Sequence, residues 1–212
     1  MIDENRLHEA GALLAAEAAR FAGMGWMRGT SGNLSLTLER DPLRLAVTAS
    51  GLDKGELGPA DVVLTDSRGE LLPGDERGLV PSAEAGLHAR IAAVTGAGAA
   101  VHVHAMAAVE AGFHWPVGVE IADMEMLKGI GHSAHGERVV IPVVQNSQDM
   151  VELGDRFEEV YLRPANGIAE VPAVIVASHG MYAWGADLAA ARRHTEIVEW
   201  LLRFTVRTRA TR

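Results

Sequence analysis

The chain has 212 residues, 48% of them apolar and 22% charged, a size and balance that can build a sizeable globular core. Its 28 acidic against 19 basic residues give a formal net charge of -9. That argues against nucleic acid or an anionic membrane as partner and leaves room for a small phosphorylated ligand met by a local cluster of donors.

There is no cysteine, so disulfides, thiolate ligands and a cysteine nucleophile are excluded, and any metal must be held by His, Asp or Glu. The acidic start Met1-Ile2-Asp3-Glu4 lacks the apolar stretch of a signal peptide. No run approaches the about 18 apolar residues of a membrane span. A cytoplasmic location is the expectation.

Leu7, Ala10, Leu14, Ala18 and Phe21 recur with helical period and predict an amphipathic helix over about 3–22, stopped by Gly23 and Gly25. A loop of small hydrogen-bonding residues follows, ending in Thr30-Ser31-Gly32-Asn33. Leu34, Leu36 and Leu38 alternate with polar residues and predict a strand, paired across Asp41-Pro42 with a second over 45–48. Thr48-Ala49-Ser50-Gly51 is another hydroxyl-rich loop, with Lys54 just beyond. Residues 62–65 and 70–72 predict a hairpin across Asp66-Ser67-Arg68-Gly69. After a polar loop over 73–80, a helix is expected from Pro81 or Ser82 to about 94, with Ser82 as N-cap and Glu84 in the first turn.

Gly96 and Gly98 end that helix ahead of Ala99-Ala100-Val101-His102-Val103-His104-Ala105. In a strand, residues i and i+2 share a face, so His102 and His104 can converge on one point. With a third ligand they form a three-ligand divalent metal site open to substrate; the alternative is a pair of hydrogen-bonded core histidines. Beyond it the pattern predicts a short helix over 105–111, a strand over 117–121 and a helical turn or two over 123–130. A strand over 139–144 follows, where Pro142 suggests an edge or irregular position. A helix capped by Asn146 or Ser147 runs to about 162. A buried strand over 173–178 ends at His179-Gly180 and returns through 181–185. The closing helix, about 187–206, has Leu188, Ala191, Ile197, Trp200, Leu201 and Phe204 as its apolar set. No repeat or linker interrupts 1–212, which reads as one α/β domain with a mixed or largely antiparallel sheet and helices on its faces.

His179, at a strand end beside a glycine, is the expected third ligand. His132 and His135 form a rival pair on a Gly/Ser-rich loop, which preorganises ligands poorly. His88 shares a helix face with Glu84 and either orients it or covers the sheet. His8, His114 and His194 read as structural. Two carboxylates carry an acid/base reading: Glu84, opening the helix before the metal strand, and Glu125, whose methionine neighbours predict a raised proton affinity. Ser31, Gly32 and Asn33, Thr48, Ser50 and Gly51, and Ser82 offer hydroxyls and backbone N–H groups that together could cradle a phosphate, with Lys54 adding charge.

Taken in order, Thr-Ser-Gly-Asn, Thr-Ala-Ser-Gly, Pro-Ser-Ala-Glu with His88 four residues on, His-Val-His and Ser178-His179-Gly180 resemble the class II aldolase/adducin family over about 7–203. Glu125-Met126-Leu127-Lys128-Gly129 and Val144-Gln145-Asn146-Ser147-Gln148-Asp149-Met150 look like its dehydratase branch rather than its sugar-phosphate aldolases. The resemblance implies a three-layer α/β/α domain around a mostly antiparallel sheet, and a zinc-type divalent ion on His102, His104 and His179. It implies a homotetramer with sites near subunit interfaces, and a small phosphorylated sugar as substrate. In the aldolases the glutamate matching Glu84 is the acid/base; in the dehydratases the one matching Glu125 is. This chain carries both. The implied reaction is loss of water from a methylthio-pentulose 1-phosphate; the alternative is an aldolase or epimerase working through an enediolate. Intact His-Val-His and Ser-His-Gly speak against a scaffold without catalysis.

Overall fold

Residues 4–163 and 170–209 are described by the structure, a computed structural model. The helices are α1 (Glu4–Gly23), α2 (Ala85–Thr95), α3 (Met106–His114), α4 (Met150–Leu162) and α5 (Leu188–Arg209). The strands are β1 (Asn33–Arg40), β2 (Leu43–Thr48), β3 (Val62–Thr65), β4 (Ala99–Val103), β5 (Gly118–Ala122), β6 (Arg138–Val144), β7 (Ala173–Val176) and β8 (Gly180–Gly185). They form one sheet in the order β3-β2-β1-β4-β8-β7-β6-β5. Of these pairings only β6–β7 is parallel. The sheet is therefore mostly antiparallel, as expected.

Strand side chains alternate between faces, and the two faces carry different helices. Val101, Val103, Ile175, Met181 and Ala183 turn towards the core that holds Leu14, Phe21, Ala108, Val198 and Leu201, from α1, α3 and α5. Ala100, Val174, Val176, Tyr182 and Trp184 turn the other way and pack with Leu87 and Ile91 of α2 and Leu153 and Phe157 of α4. This is the expected α/β/α layering. Each fully buried Leu or Phe contributes about 1.5–3 kcal/mol of burial free energy, so both helix layers are anchored by the same pleat.

Several local expectations change. The 70–72 segment pairs with β3 through a single bridge, Thr65 to Leu71. Helix α2 begins at Ala85, so Glu84 occupies the N-cap position and Ser82 lies before it, its hydroxyl accepting the Glu84 N–H at 3.3 Å. The cap of α4 is Asp149, whose carboxylate accepts the N–H groups of Val151 and Glu152. A carboxylate also complements the helix dipole there, and Ser147 instead donates to Glu152 at 2.6 Å. Pro142 is not on an edge strand: it pairs with Gly118 of β5, and the β7 ladder begins only at Val143. On α5, Val198 and Leu202 are buried, while Trp200 and Phe204 are partly exposed and stack on each other at 5.9 Å.

Gly180 opens β8 directly against β4. A β-carbon there would lie 2.3 Å from the Val103 carbonyl oxygen, a contact only backbone displacement relieves. We expect Gly180→Ala to destabilise the protein by about 1–3 kcal/mol, read as a lower urea midpoint at unchanged m-value.

Candidate active site

Antiparallel register gathers the site. Asn33 of β1 stands opposite His102 of β4, and His102 opposite Tyr182 of β8. His102 is fully buried and stacks on Tyr182 with ring centroids 4.1 Å apart. Its Nδ1–H donates to the Met181 carbonyl at 3.0 Å, which leaves Nε2 with a lone pair facing the cluster. His104 lies one residue past β4, on the same face, its backbone N–H held by the Trp26 carbonyl at 2.9 Å. His179 sits in the tight β7–β8 turn, aimed by Ser178 in a left-handed conformation (φ 57°).

The three rings stand 4.8, 4.8 and 4.7 Å apart. His102 Nε2 is 3.0 Å from His104 Nε2. Glu84 Oε1 is 2.9 Å from His179 Nε2, and its Oε2 is 3.5 Å from His102 Nε2. All four candidate ligand atoms lie within 4.8 Å of one another. Around a tetrahedral ion with 2.0–2.1 Å bonds, ligand atoms are about 3.3 Å apart, so the spacing and the nitrogen-rich donor set fit a borderline divalent cation. Among the described residues this is the one such cluster. The rival pair does not assemble: His132 is engaged at Nδ1 by Glu137 at 3.0 Å and at Nε2 by the Glu170 carbonyl, while His135 is exposed. His8 and His114 are exposed, and His194 is tied to the Trp184 carbonyl at 2.7 Å.

Burial pushes His102 down to about 3 and His88 down to about 4, and burial with the nearby His179 lowers His104 as well. His102 and His104 are thus neutral near pH 7, the state a metal ligand requires. Burial opposes ionisation of Glu84, but hydrogen bonding with His179, the adjacent His102 and the Asn33 amide outweigh it and hold the carboxyl well below its usual range. Behind Glu84, Asn33 Nδ2 donates to Glu84 Oε2 at 2.5 Å and to Ser82 Oγ at 2.9 Å. Asn33 Oδ1 meets His88 Nε2 at 2.5 Å, and His88 Nδ1 meets Ser35 Oγ at 2.7 Å. The His88 ring is thus linked to Glu84 through Asn33 and also packs its edge on Tyr182 of the sheet.

Beside the cluster opens a cavity of about 180 Å³, walled by Thr30 to Asn33, by Ala49 to Gly51 with Lys54, by Ser82 to Glu84, and by His104 and His179. The three loops expected to meet do meet. Gly32 (φ +77°) lies so close to β4 that a β-carbon would stand 2.9 Å from the His102 carbonyl oxygen. Lys54 is buried, its Nζ donating to the carbonyls of Thr30 and Leu52 at 3.1 and 2.8 Å, and burial lowers its pKa. Two residues of the expected cradle are otherwise engaged. Thr48 is buried away from the cavity, its hydroxyl accepting the Leu34 N–H at 3.1 Å. The Asn33 amide has both hydrogens committed to Ser82 and Glu84.

Glu125 stands apart from this cluster. Its side chain is 71% exposed and pairs with Lys128 at 2.5 Å. Hydrogen bonding to Lys128 holds its carboxyl below the usual range, the reverse of the expected raised affinity. Tyr182 and Ser35 went unnoticed as site residues in the sequence; the usable signal was strand alternation, which puts Ser35 on the Asn33 face of β1 and Tyr182 opposite His102 once the pairing is known.

A model of the class II aldolase and adducin N-terminal domain matches residues 12–206. A methylthioribulose-1-phosphate dehydratase of Methylococcus capsulatus is 40% identical over 196 residues, covering 91% of this chain and 90% of that protein. One of Persephonella marina is 35% identical over 187 residues, covering 85% and 81%. Among solved structures, L-fuculose-1-phosphate aldolase from Thermus thermophilus superposes with a TM-score of 0.68 at 23% identity, covering 97% and 96%; at that identity the likeness speaks for the fold.

His88 makes acid stability measurable. Its pKa is about 4 folded against 6.5 unfolded, so below pH 6.5 the unfolded chain binds the extra proton and gains on the native state. The stability is complete above pH 6.5 and is lost as pH falls to 4, by roughly 3 kcal/mol in full. Urea unfolding at pH 7 and pH 5 should show a smaller loss in His88→Gln than in the parent protein.

Proposed function

The chain belongs to the class II aldolase and adducin family, and within it we infer a methylthioribulose-1-phosphate dehydratase. The observation that carries this reading is the convergence of His102, His104, His179 and Glu84 on a cavity walled by three small-residue loops, taken with relatives of that activity over most of the chain. The enzyme is a hydro-lyase. It removes water from 5-methylthioribulose 1-phosphate to give 2,3-diketo-5-methylthiopentyl 1-phosphate. We place this step in methionine salvage and in the cytoplasm; no helix of the described residues is long and apolar enough to cross a membrane.

His102, His104 and His179 are the residues proposed to hold one divalent ion, zinc by preference. Bound there, the ion supplies Lewis-acid polarisation of the substrate's carbonyl and neighbouring hydroxyl oxygens. Ser31, Gly32, Ser50, Gly51 and Ser82 are proposed to receive the phosphate. Lys54 spends two of its three donors on carbonyls and keeps the third for the anion. A groove lined by Met24, Trp26, Met106 and Val206 shares Ser31 and His104 with the cavity's surroundings and offers apolar surface to the methylthio end.

The chemistry needs one proton removed and one delivered. A carboxylate takes the C3 proton, and the electron pair moves to form the C2–C3 enediol. The C4–oxygen bond then breaks, a proton joins the departing hydroxyl, and water leaves. The resulting enol gives up its hydroxyl proton, takes one at C4 and becomes the diketone. Glu84 is the carboxylate this chain itself brings to the cavity, ionised and so ready to accept. Glu125, exposed and outside its own chain's cluster, serves in this reading at the site of a neighbouring copy within a homotetramer.

Metal-loaded protein should convert 5-methylthioribulose 1-phosphate to the diketone without C3–C4 cleavage, lose activity to a chelator and regain it with zinc. Glu84→Gln and Glu125→Gln should each lower kcat by about 10²–10⁴, and mixed subunits of the two variants should recover activity. Cleavage products would move the assignment to an aldolase; near-full turnover by Glu84→Gln would remove its role.

A further inference from the structure

The hydrogen bonds behind Glu84 leave no choice of donor. An ionised carboxylate only accepts, so the Asn33 atom facing Glu84 Oε2 is its amide nitrogen, and Asn33 Oδ1 faces His88 Nε2 at 2.5 Å. That ring nitrogen therefore carries a hydrogen. A neutral imidazole has one, so Nδ1 presents a lone pair, and the Ser35 hydroxyl donates to it across 2.7 Å. His88, Asn33 and Ser35 are all buried, and His88 meets the edge of Tyr182, the ring that stacks on His102. A position this enclosed would take a leucine if packing were its only demand. A polar ring there costs desolvation unless both nitrogens are met, and here both are met by residues that lead to Glu84.

We propose that His88 is a positioning residue for Glu84. Acting through Asn33, it fixes the carboxylate so that Oε1 faces His179 and Oε2 faces His102. One turn of α2 separates the two residues, so the helix holds its own N-cap side chain by a path through β1. This rests on Glu84 accepting the substrate proton as proposed above.

The test compares kcat, KM for 5-methylthioribulose 1-phosphate, and metal affinity by chelator competition in the intact protein. His88→Leu should lower kcat roughly 10–100-fold, the cost typical of removing a residue that orients a metal-site group, with KM and metal affinity near those of the parent. His88→Gln, whose amide can donate to Asn33 and accept from Ser35, should return most of the activity. In a Glu84→Gln background, His88→Leu should cost no further activity, because its effect passes through the residue already changed. An additive loss in the double variant, a matching fall in metal affinity, or full activity in His88→Leu overturns the proposal. If His88→Leu does not fold, Ser35→Ala keeps the ring and removes only its donor: several-fold lower kcat at unchanged KM supports the relay, and unchanged kcat overturns it. Full turnover by Glu84→Gln instead defeats the reading of Glu84 and the relay with it, whereas an inactive Glu84→Gln beside a fully active His88→Leu defeats the relay alone.

Discussion

Everything at the site depends on the register of three adjacent antiparallel strands. Asn33, His102 and Tyr182 lie side by side across β1, β4 and β8, and all three turn towards α2. A slip of one residue in either ladder would invert the faces. It would bury the imidazole lone pair against α5 and carry the Asn33 amide away from Glu84. Gly32 and Gly180 flank this row at its two sides, each pressed onto a β4 carbonyl. The absence of side chains at these two positions is what lets the loops close over the strand end.

Within that frame, Glu84 is met by an amide and two imidazoles. Glu84 is largely buried, and among the described residues no lysine or arginine is bonded to it; His179, His102 and Asn33 lie against it. The Asn33 amide donates to this carboxylate. Lys54, the nearby basic residue, is held back by two backbone carbonyls. The arrangement keeps the Lys54 ammonium off the Glu84 carboxylate although both line one cavity.

The sequence made legible whatever depends on local period. Two histidines two apart in a β-branched run, the helical spacing in α1, and the hydroxyl-rich loops all come from patterns within a few residues. What lay hidden depends on pairing between distant segments. Thr48 looks like its neighbour Ser50, yet the ladder turns its hydroxyl to the Leu34 N–H. Asn33 looks like a phosphate donor, yet its amide is consumed by residues 49 and 51 positions away. Glu125 misleads for a different reason. Its segment is a 3-10 helix, in which residues three apart share an edge. Leu127 and Ile130 are buried with Met124 packed beside them, while Glu125 and Lys128 fall together on the outside. Apolar neighbours in sequence are not apolar neighbours in space.

Strand order also governs how the molecule is made. Among the described strands β8 comes last in chain order, yet it lies between β4 and β7; without it the sheet falls into two pieces, β3-β2-β1-β4 and β7-β6-β5. A nascent chain therefore carries two open edges until residues 180–185 leave the ribosome, and open edges invite pairing with other chains. The edge beside His102 is one of them. Residues up to 185 must be synthesised before β4 and β7 are joined and the three histidines are held together, so a chain cut short before β8 gains no partial cluster.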